Sequence, residues 1–322
     1  MVLRRRFAIA ALSAVVVAVA VTSAATARPT ATKQLKELKI ALFPSLDYAP
    51  LFLGLKLGIW KKHGLDLKIT YVYTGAGLFA AITSGQTDLA TNSPTAGSNA
   101  IAQGLPLKLV QPAANQAIKG NTEVLVKKDS PYQTFKDLEG KTVATINLQG
   151  LFHLGLISAV EAEGGDPLSV KALAMSPNDE PLALAAGRLD AIVIQDPFLT
   201  VAKLQNAGFR SLGNPFGKLG YRAPVGAFWT SLSTLEDKAE LFRTFRAAWK
   251  DCVAAAAKFP KLLRQVIPKY TGMSPKAVEL ITIPDYITKF GPGSLGPMLK
   301  QMTKLGWIKS APAFEQIYWN GK

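Results

Sequence analysis

Ala80-Ala81-Ile82-Thr83-Ser84-Gly85-Gln86-Thr87-Asp88-Leu89-Ala90 reads as a helix that stops at glycine, turns, and enters a strand through an aspartate. The same figure returns at Leu184-Ala185-Ala186-Gly187-Arg188-Leu189-Asp190-Ala191-Ile192. Glycine suits the left-handed residue that ends a helix, and an aspartate can hold nearby backbone donors as the chain straightens. One such turn is ordinary punctuation. Two in matched α/β surroundings predict a two-lobed α/β protein, and clefts between lobes bind small molecules.

Upstream of the first turn, Leu38 to Leu42 has the pattern of a strand entering a core, and Leu65 to Tyr73 alternates as another. Asp47 is placed to cap a helix from Tyr48 to Leu57 that Gly58 ends. Gly75-Ala76-Gly77 opens the helix that runs into the first turn, so its backbone N–H groups can face an anion. It is no nucleotide fingerprint, because the third glycine and the later acid are missing. Ser93 before Pro94 starts a further helix, and Leu107 to Val110 is a strand that runs out into a polar loop containing Asn115. Such loops lie at the carboxyl ends of the strands, where α/β sheets bind ligands. The expected anion cradle is Gly75, Ala76 and Gly77 with the hydroxyls of Ser45, Ser93 and Thr95. Tyr48, Phe79, Phe152 and Trp229 are aromatic candidates for the wall of the cleft, each of them equally able to serve as core.

The first residues address the chain. Arg4-Arg5-Arg6 precedes an apolar run from Phe7 to Val21 and the small-residue site Ala25-Thr26-Ala27. That is a secretory signal, with cleavage expected after Ala27 and a periplasmic destination. The 15-residue apolar run spans only about 22 Å as a helix, short of the roughly 30 Å hydrocarbon core. The net charge is +15, and the three leader arginines account for a fall to +12 in the remaining 295 residues. The lysines are scattered along the chain instead of clustered on one element, which argues against nucleic-acid binding. Cys252 is the only cysteine, so no internal disulfide is possible and packing must hold the fold.

Leu51 to Leu67, Ser84-Gly85-Gln86-Thr87-Asp88, Gly104 to Lys108 and Asp137 to Val143 fall in an order that is familiar. It resembles the extracytoplasmic solute-binding proteins for nitrate, sulfonates, taurine and thiamine-pyrimidine precursors, over roughly residues 36–260. The chain departs from that pattern at Gly54, where alanine is usual, and at Trp60, where phenylalanine is usual. The resemblance implies a type II periplasmic-binding-protein (venus-flytrap) fold with a ligand cleft between lobes. It also implies capture of a small anionic or amphipathic solute (a sulfonate, nitrate or bicarbonate, or a pyrimidine) for an ATP-driven importer. Permease and ATPase would be the membrane partners and the protein a monomer. It further implies ligand contacts from the second-lobe loops, at Asn147, Gln149, Gly150, Leu151, Gln195 and Asp196, although Asp196 before Pro197 is equally suited to capping a helix. The expected division is a leader over 1–27, lobe one over 28–120, lobe two over 121–222, and a return to lobe one over 223–322.

Nothing in the sequence equips an active site. His63 lies in a lysine-rich turn, and His153 lies in the first turn of the helix after Gly150 with no acid at hand. No spacing suggests a metal site, no Gly-x-Ser-x-Gly elbow occurs, and no cofactor is expected. The rivals are an enzyme of the same two-lobed fold, of the pyrimidine-forming kind, and a ligand-sensing module that docks on a receptor. No arginine lies in the ligand loops; Arg222 is the nearest candidate for a sulfonate clamp.

Overall fold

A computed structural model describes residues 34–116, 120–291 and 293–322, and the leader with its expected cleavage site lies outside them. In chain order the first half runs β1 (Lys36–Leu42), α1 (Ala49–Lys56), α2 (Ile59–Lys62), β2 (Leu65–Tyr71), α3 (Gly75–Thr83), β3 (Leu89–Asn92), α4 (Pro94–Ala102) and β4 (Leu107–Asn115). Then follow β5 (Thr122–Lys127), β6 (Thr142–Thr145), α5 (Leu151–Ala162), β7 (Lys171–Ala174), α6 (Glu180–Ala185), β8 (Ala191–Gln195), α7 (Phe198–Gln205) and β9 (Phe209–Gly213). The chain ends with β10 (Pro224–Ser231), the long α8 (Leu232–Lys258), a group of shorter helices, and the two-residue β11 (Asp285–Tyr286).

These strands form two sheets, ordered β11-β4-β10-β3-β1-β2 and β7-β6-β8-β5-β9. Each has a parallel core, β2-β1-β3 in one and β7-β6-β8 in the other, flanked by antiparallel strands. The protein is therefore a two-lobed α/β molecule. The chain passes between the sheets twice, after β4 and after β9, and the two passages are bonded together: Gln116 N–H donates to the Ala223 carbonyl at 2.8 Å, and Arg222 to the Gln116 carbonyl at 3.0 Å.

The twin turns take the same form in both lobes. Gly85 and Gly187 have φ of 74° and 70°, the left-handed values that stop α3 and α6. The aspartates reach farther than their immediate turn. Asp88 accepts from Lys39 N–H of β1, and Asp190 from Thr142 N–H of β6, each at 2.8 Å. In return Asp88 N–H donates to the Lys39 carbonyl and Asp190 N–H to the Thr142 carbonyl, each at 2.9 Å. Each acid thus ties the entry of one parallel strand to its neighbour.

The departures at Gly54 and Trp60 are one feature. A Cβ on Gly54 would collide with the Cys252 sulfur and lie 2.7 Å from Trp60 Nε1. The bulkier indole occupies space that an alanine methyl needs, while its N–H donates to the Leu51 carbonyl at 2.9 Å. Cys252 is fully buried in this packing, and burial pushes its thiol well above the usual range. Leu241, Phe242, Phe245 and Trp249, spaced along one face of α8, are buried against Phe228 and Trp60 beneath the six-stranded sheet.

Two local expectations change. Asp47 does not cap a helix; Ser45 does, accepting from Asp47 N–H at the start of a 3-10 turn over Leu46–Tyr48 that leads into α1. Asn115 is not in a loop, because β4 continues to it. Pro112 has no N–H to donate and would suit a strand end, but the β4–β10 register shifts at this point and pairing resumes.

Candidate functional site

Where the two sheets face each other, the cleft holds an outer groove of about 660 Å³ and a small inner chamber of about 40 Å³. Gly75, Asn92, Ile146 and Asn147 line both, so the two are continuous. Lobe one contributes the start of α3, the end of β3 and one face of α4; lobe two contributes the loop after β6 and the end of β7. The lips touch. Asn99 Nδ2 of α4 donates to Gln149 Oε1 of the β6–α5 loop at 3.0 Å, and Phe43 packs on Phe198 with ring centres 5.8 Å apart.

Gln149 sits at φ 51°, in the left-handed region that costs a non-glycine residue free energy. His153 holds it there, its Nδ1 accepting from Gln149 N–H at 3.0 Å while the ring packs on Trp307. Burial pushes His153 down to about 4, so the imidazole is neutral at pH 7 and acts as an acceptor. His63, which lines neither cavity, pairs with Asp251 at 2.8 Å.

The chamber is floored by Ser45, Asp47 and Tyr48 and closed from lobe two by Gln195 and Phe152. Tyr48 donates to the Ala227 carbonyl at 3.3 Å. Asp47 is 4% exposed, and its Oδ2 accepts from Ser45 Oγ at 2.7 Å. Its Oδ1 has no partner, and neither does Asn147 Oδ1 across the cleft. Burial pushes the Asp47 carboxyl up to about 6, against the Ser45 bond that pulls it down. No lysine, arginine or histidine lines either cavity, and Asp47, in the chamber, is the one carboxylate among the lining residues of the two.

That composition changes the expected cradle. Three of its donors are engaged elsewhere: Ser45 Oγ on Asp47, Gly77 N–H on Thr74 Oγ1 at 3.2 Å, and Thr95 Oγ1 on Met298 Sδ at 3.1 Å. Ser93 Oγ caps α4 by accepting from Ala96 N–H at 3.1 Å. Gly75 and Ala76 remain at the groove, where a Cβ on Gly75 would come 2.8 Å from Asn147 Nδ2. An anion in the chamber would meet a second negative charge on Asp47. Two like charges about 4 Å apart repel by about 4 kcal/mol at an effective dielectric constant of about 20.

Of the residues read from the sequence, the cleft thus gathers Ser45, Tyr48, Gly75, Ala76, Phe79, Ser93, Asn147, Phe152 and Gln195. Others stand back from its lining. Thr95 and Trp229 are fully buried in lobe one. Trp229 packs edge-on to Phe79 against Gly97, its Nε1 donating to the Asn92 carbonyl at 3.2 Å. Leu151 is in the core of lobe two, and Gly150 is the N-cap of α5 beneath Asn147. Asn115 pairs in β4 with Pro224 and Asp285. Asp196 faces a separate depression and accepts from Thr200 at the start of α7 and from Thr282 N–H. Arg222 is spent on Asp285 at 2.9 Å. Polar lining residues outside that reading include Asp47, Asn92 and Asn99. Asn92 adjoins Ser93 at the end of β3, the position where strand ends meet ligands, and that placement was the available signal. Asp47 was in view and was given a local role.

Among the described residues no group of three His, Cys, Asp or Glu side chains could hold a metal ion, and no helix is long and apolar enough to cross a membrane.

Comparison with known proteins sets this cleft in context. The family profile described as NMT1/THI5 like matches residues 45–263. Curated proteins give no match. The fold is similar to the periplasmic aliphatic sulphonate binding protein SsuA from Escherichia coli, at 18% identity over 88% of this chain and 92% of that one, with a TM-score of 0.69. It is also similar to the alkanesulfonate-binding protein SsuA from Xanthomonas axonopodis pv. citri bound to MOPS, at 18% identity, 88% and 96% coverage, and a TM-score of 0.73. The periplasmic nitrate-binding protein NrtA from Synechocystis PCC 6803 aligns at 12% identity, over 76% of this chain and 69% of that one, with a TM-score of 0.64. At these identities the likeness is one of fold.

Proposed function

Because the chain belongs to the NMT1/THI5-like family, we propose that it is the extracytoplasmic solute-binding component of an ATP-driven importer. It captures a small organic solute between its lobes and hands it, unchanged, to a membrane permease and its ATPase. The observation that carries this reading is the continuous groove and chamber between the two sheets, bridged at its lips by Asn99 and Gln149. A mostly apolar groove with a few convergent polar groups is what a small-molecule site requires. The two bonded passages between the sheets, at Gln116 and Ala223, supply the hinge about which lobes over 28–120 with 223–322, and over 121–222, would open and close. In this reading Ser45, Tyr48, Gly75, Ala76, Ser93, Asn147 and Gln195 form the ligand shell together with Asp47 and Asn92. Gln149, Gly150, Leu151, Thr95 and Trp229 hold that shell in place. The protein works as a periplasmic monomer after cleavage near Ala27, with no catalytic step.

The test is thermal unfolding of the secreted protein against nitrate, bicarbonate, taurine, alkanesulfonates, aromatic acids, pyrimidines and amines. A ligand at 100 times its dissociation constant stabilises by about 2.7 kcal/mol. One chemical class should raise the melting temperature and be recovered unaltered. Conversion of the compound on incubation would replace this reading with the enzyme, and silence across every class would remove it.

A further inference from the structure

The inner chamber is lined by one carboxylate, Asp47, and by no lysine, arginine or histidine. Asp47 Oδ1 and Asn147 Oδ1, one from each lobe, are both buried and both unpartnered. Buried polar atoms without partners call for an explanation, and of those among the described residues these two line the cleft. Water alone accounts poorly for a buried carboxylate, whose charged form needs a cation or several donors. The surroundings provide no cation, and the Ser45 hydroxyl is the one side-chain donor bonded to Asp47. Tyr48 donates to the Ala227 carbonyl, Tyr286 to the Leu46 carbonyl, and β10 meets the Asp47 side chain with the bare backbone of Gly226. Tyr270, the third phenol near Asp47, is itself unpartnered, and Arg264, the base next along that side, is spent on the carbonyls of Val278 and Ile281. The chain as a whole carries +15, so the absence of a base from the cleft is not for want of bases.

Resting on the solute-binding reading, we infer that the chamber receives the nitrogen-donor end of the solute, a protonated amine or amidine, between Asp47 and Asn147, while an apolar body fills the outer groove. Asp47 supplies the counter-charge and Asn147 closes on the same head group from the second lobe. Sulfonates, nitrate and carboxylates are thereby disfavoured as ligands of this chain. Because burial holds Asp47 near 6, capture of such a cation strengthens as the carboxyl ionises.

Benzylammonium, butylammonium and benzamidinium, set beside benzenesulfonate, butanesulfonate and nitrate, test this by calorimetric titration of the mature protein. A member of the cationic set should bind, about tenfold more weakly at pH 5 than at pH 7.5 as Asp47 takes up a proton. Asp47→Asn should weaken it at least tenfold and abolish the pH dependence, and Asn147→Ala should weaken it without touching that dependence. Binding confined to the anionic set, unchanged or tighter in Asp47→Asn, would overturn this inference and leave the solute-binding reading standing. Silence from both sets would overturn both.

Discussion

Three aspartates, two buried and one partly covered, show two uses of the same side chain. Asp88 and Asp190 lie at the entries of β3 and β8, and each is met by donors on both oxygens. Asp88 takes Lys39 N–H on Oδ2 and Lys238 Nζ on Oδ1, and Asp190 takes Thr142 N–H on Oδ2 and the Tyr132 hydroxyl on Oδ1. Asp47, in the cleft, has one oxygen on Ser45 and the other on nothing. The first two build strand pairing. The third leaves an interaction to be completed from outside, so unspent bonding capacity, not burial, separates a structural acid from a recognising one.

The comparison can be broken most forcefully at the strand entries. Asp88→Ala and Asp190→Ala each strand a backbone N–H and remove a charge-assisted bond, and each should cost about 3 kcal/mol in urea unfolding. A loss under about 0.5 kcal/mol at either site would mean that the two turns share a shape without sharing a role. Asp47→Asn should act in the opposite direction. The folded-state carboxyl lies at about 6 against an ordinary 3.8, so the wild-type protein gives up stability as pH rises from below 3.8 through about 6. The variant escapes that loss: it should be more stable by about 2 kcal/mol at pH 8, with the gain gone by pH 4. Equal melting curves at pH 8 would show that Asp47 is already compensated in the free protein.

The smallest effects sharpen the contrast between the two lobes. Tyr132→Phe removes a neutral hydroxyl from Asp190 and should cost about 1 kcal/mol. Lys238→Ala breaks an ion pair whose lysine is 44% exposed, and should cost about 0.5 kcal/mol, less at high salt. The reverse order would make the Lys238–Asp88 pair the stronger clasp.

Much of the fold was legible because its signals are local. The glycines at 85 and 187 take positive φ to stop their helices, and the aspartates three residues later mark strand entry whatever they bond. The leader, the scattered lysines and the single cysteine are likewise properties of the string. The cleft residues that were legible, Ser45, Gly75, Ser93 and Gln195, stand at strand ends, where the architecture sends loops toward a ligand. What misled was direction. Thr95 and Trp229 are correct in neighbourhood but turned inward, onto Met298 and Gly97, and a one-dimensional pattern does not say which side of an element meets the cleft.

Sequence by itself determined that the chain is two α/β lobes bearing the same turn, since backbone conformation at glycine and the periods of strands and helices are set over a few residues. Only the tertiary structure decided that Gly54 makes room for Trp60 and Cys252, that Asp88 and Asp190 bond strands 49 and 48 residues away, and that Asp47 faces Asn147 across a chamber without a base. Those facts depend on which distant side chains share a volume, and hydrogen bonds and exclusion of water act over a few ångströms of space, not along the chain.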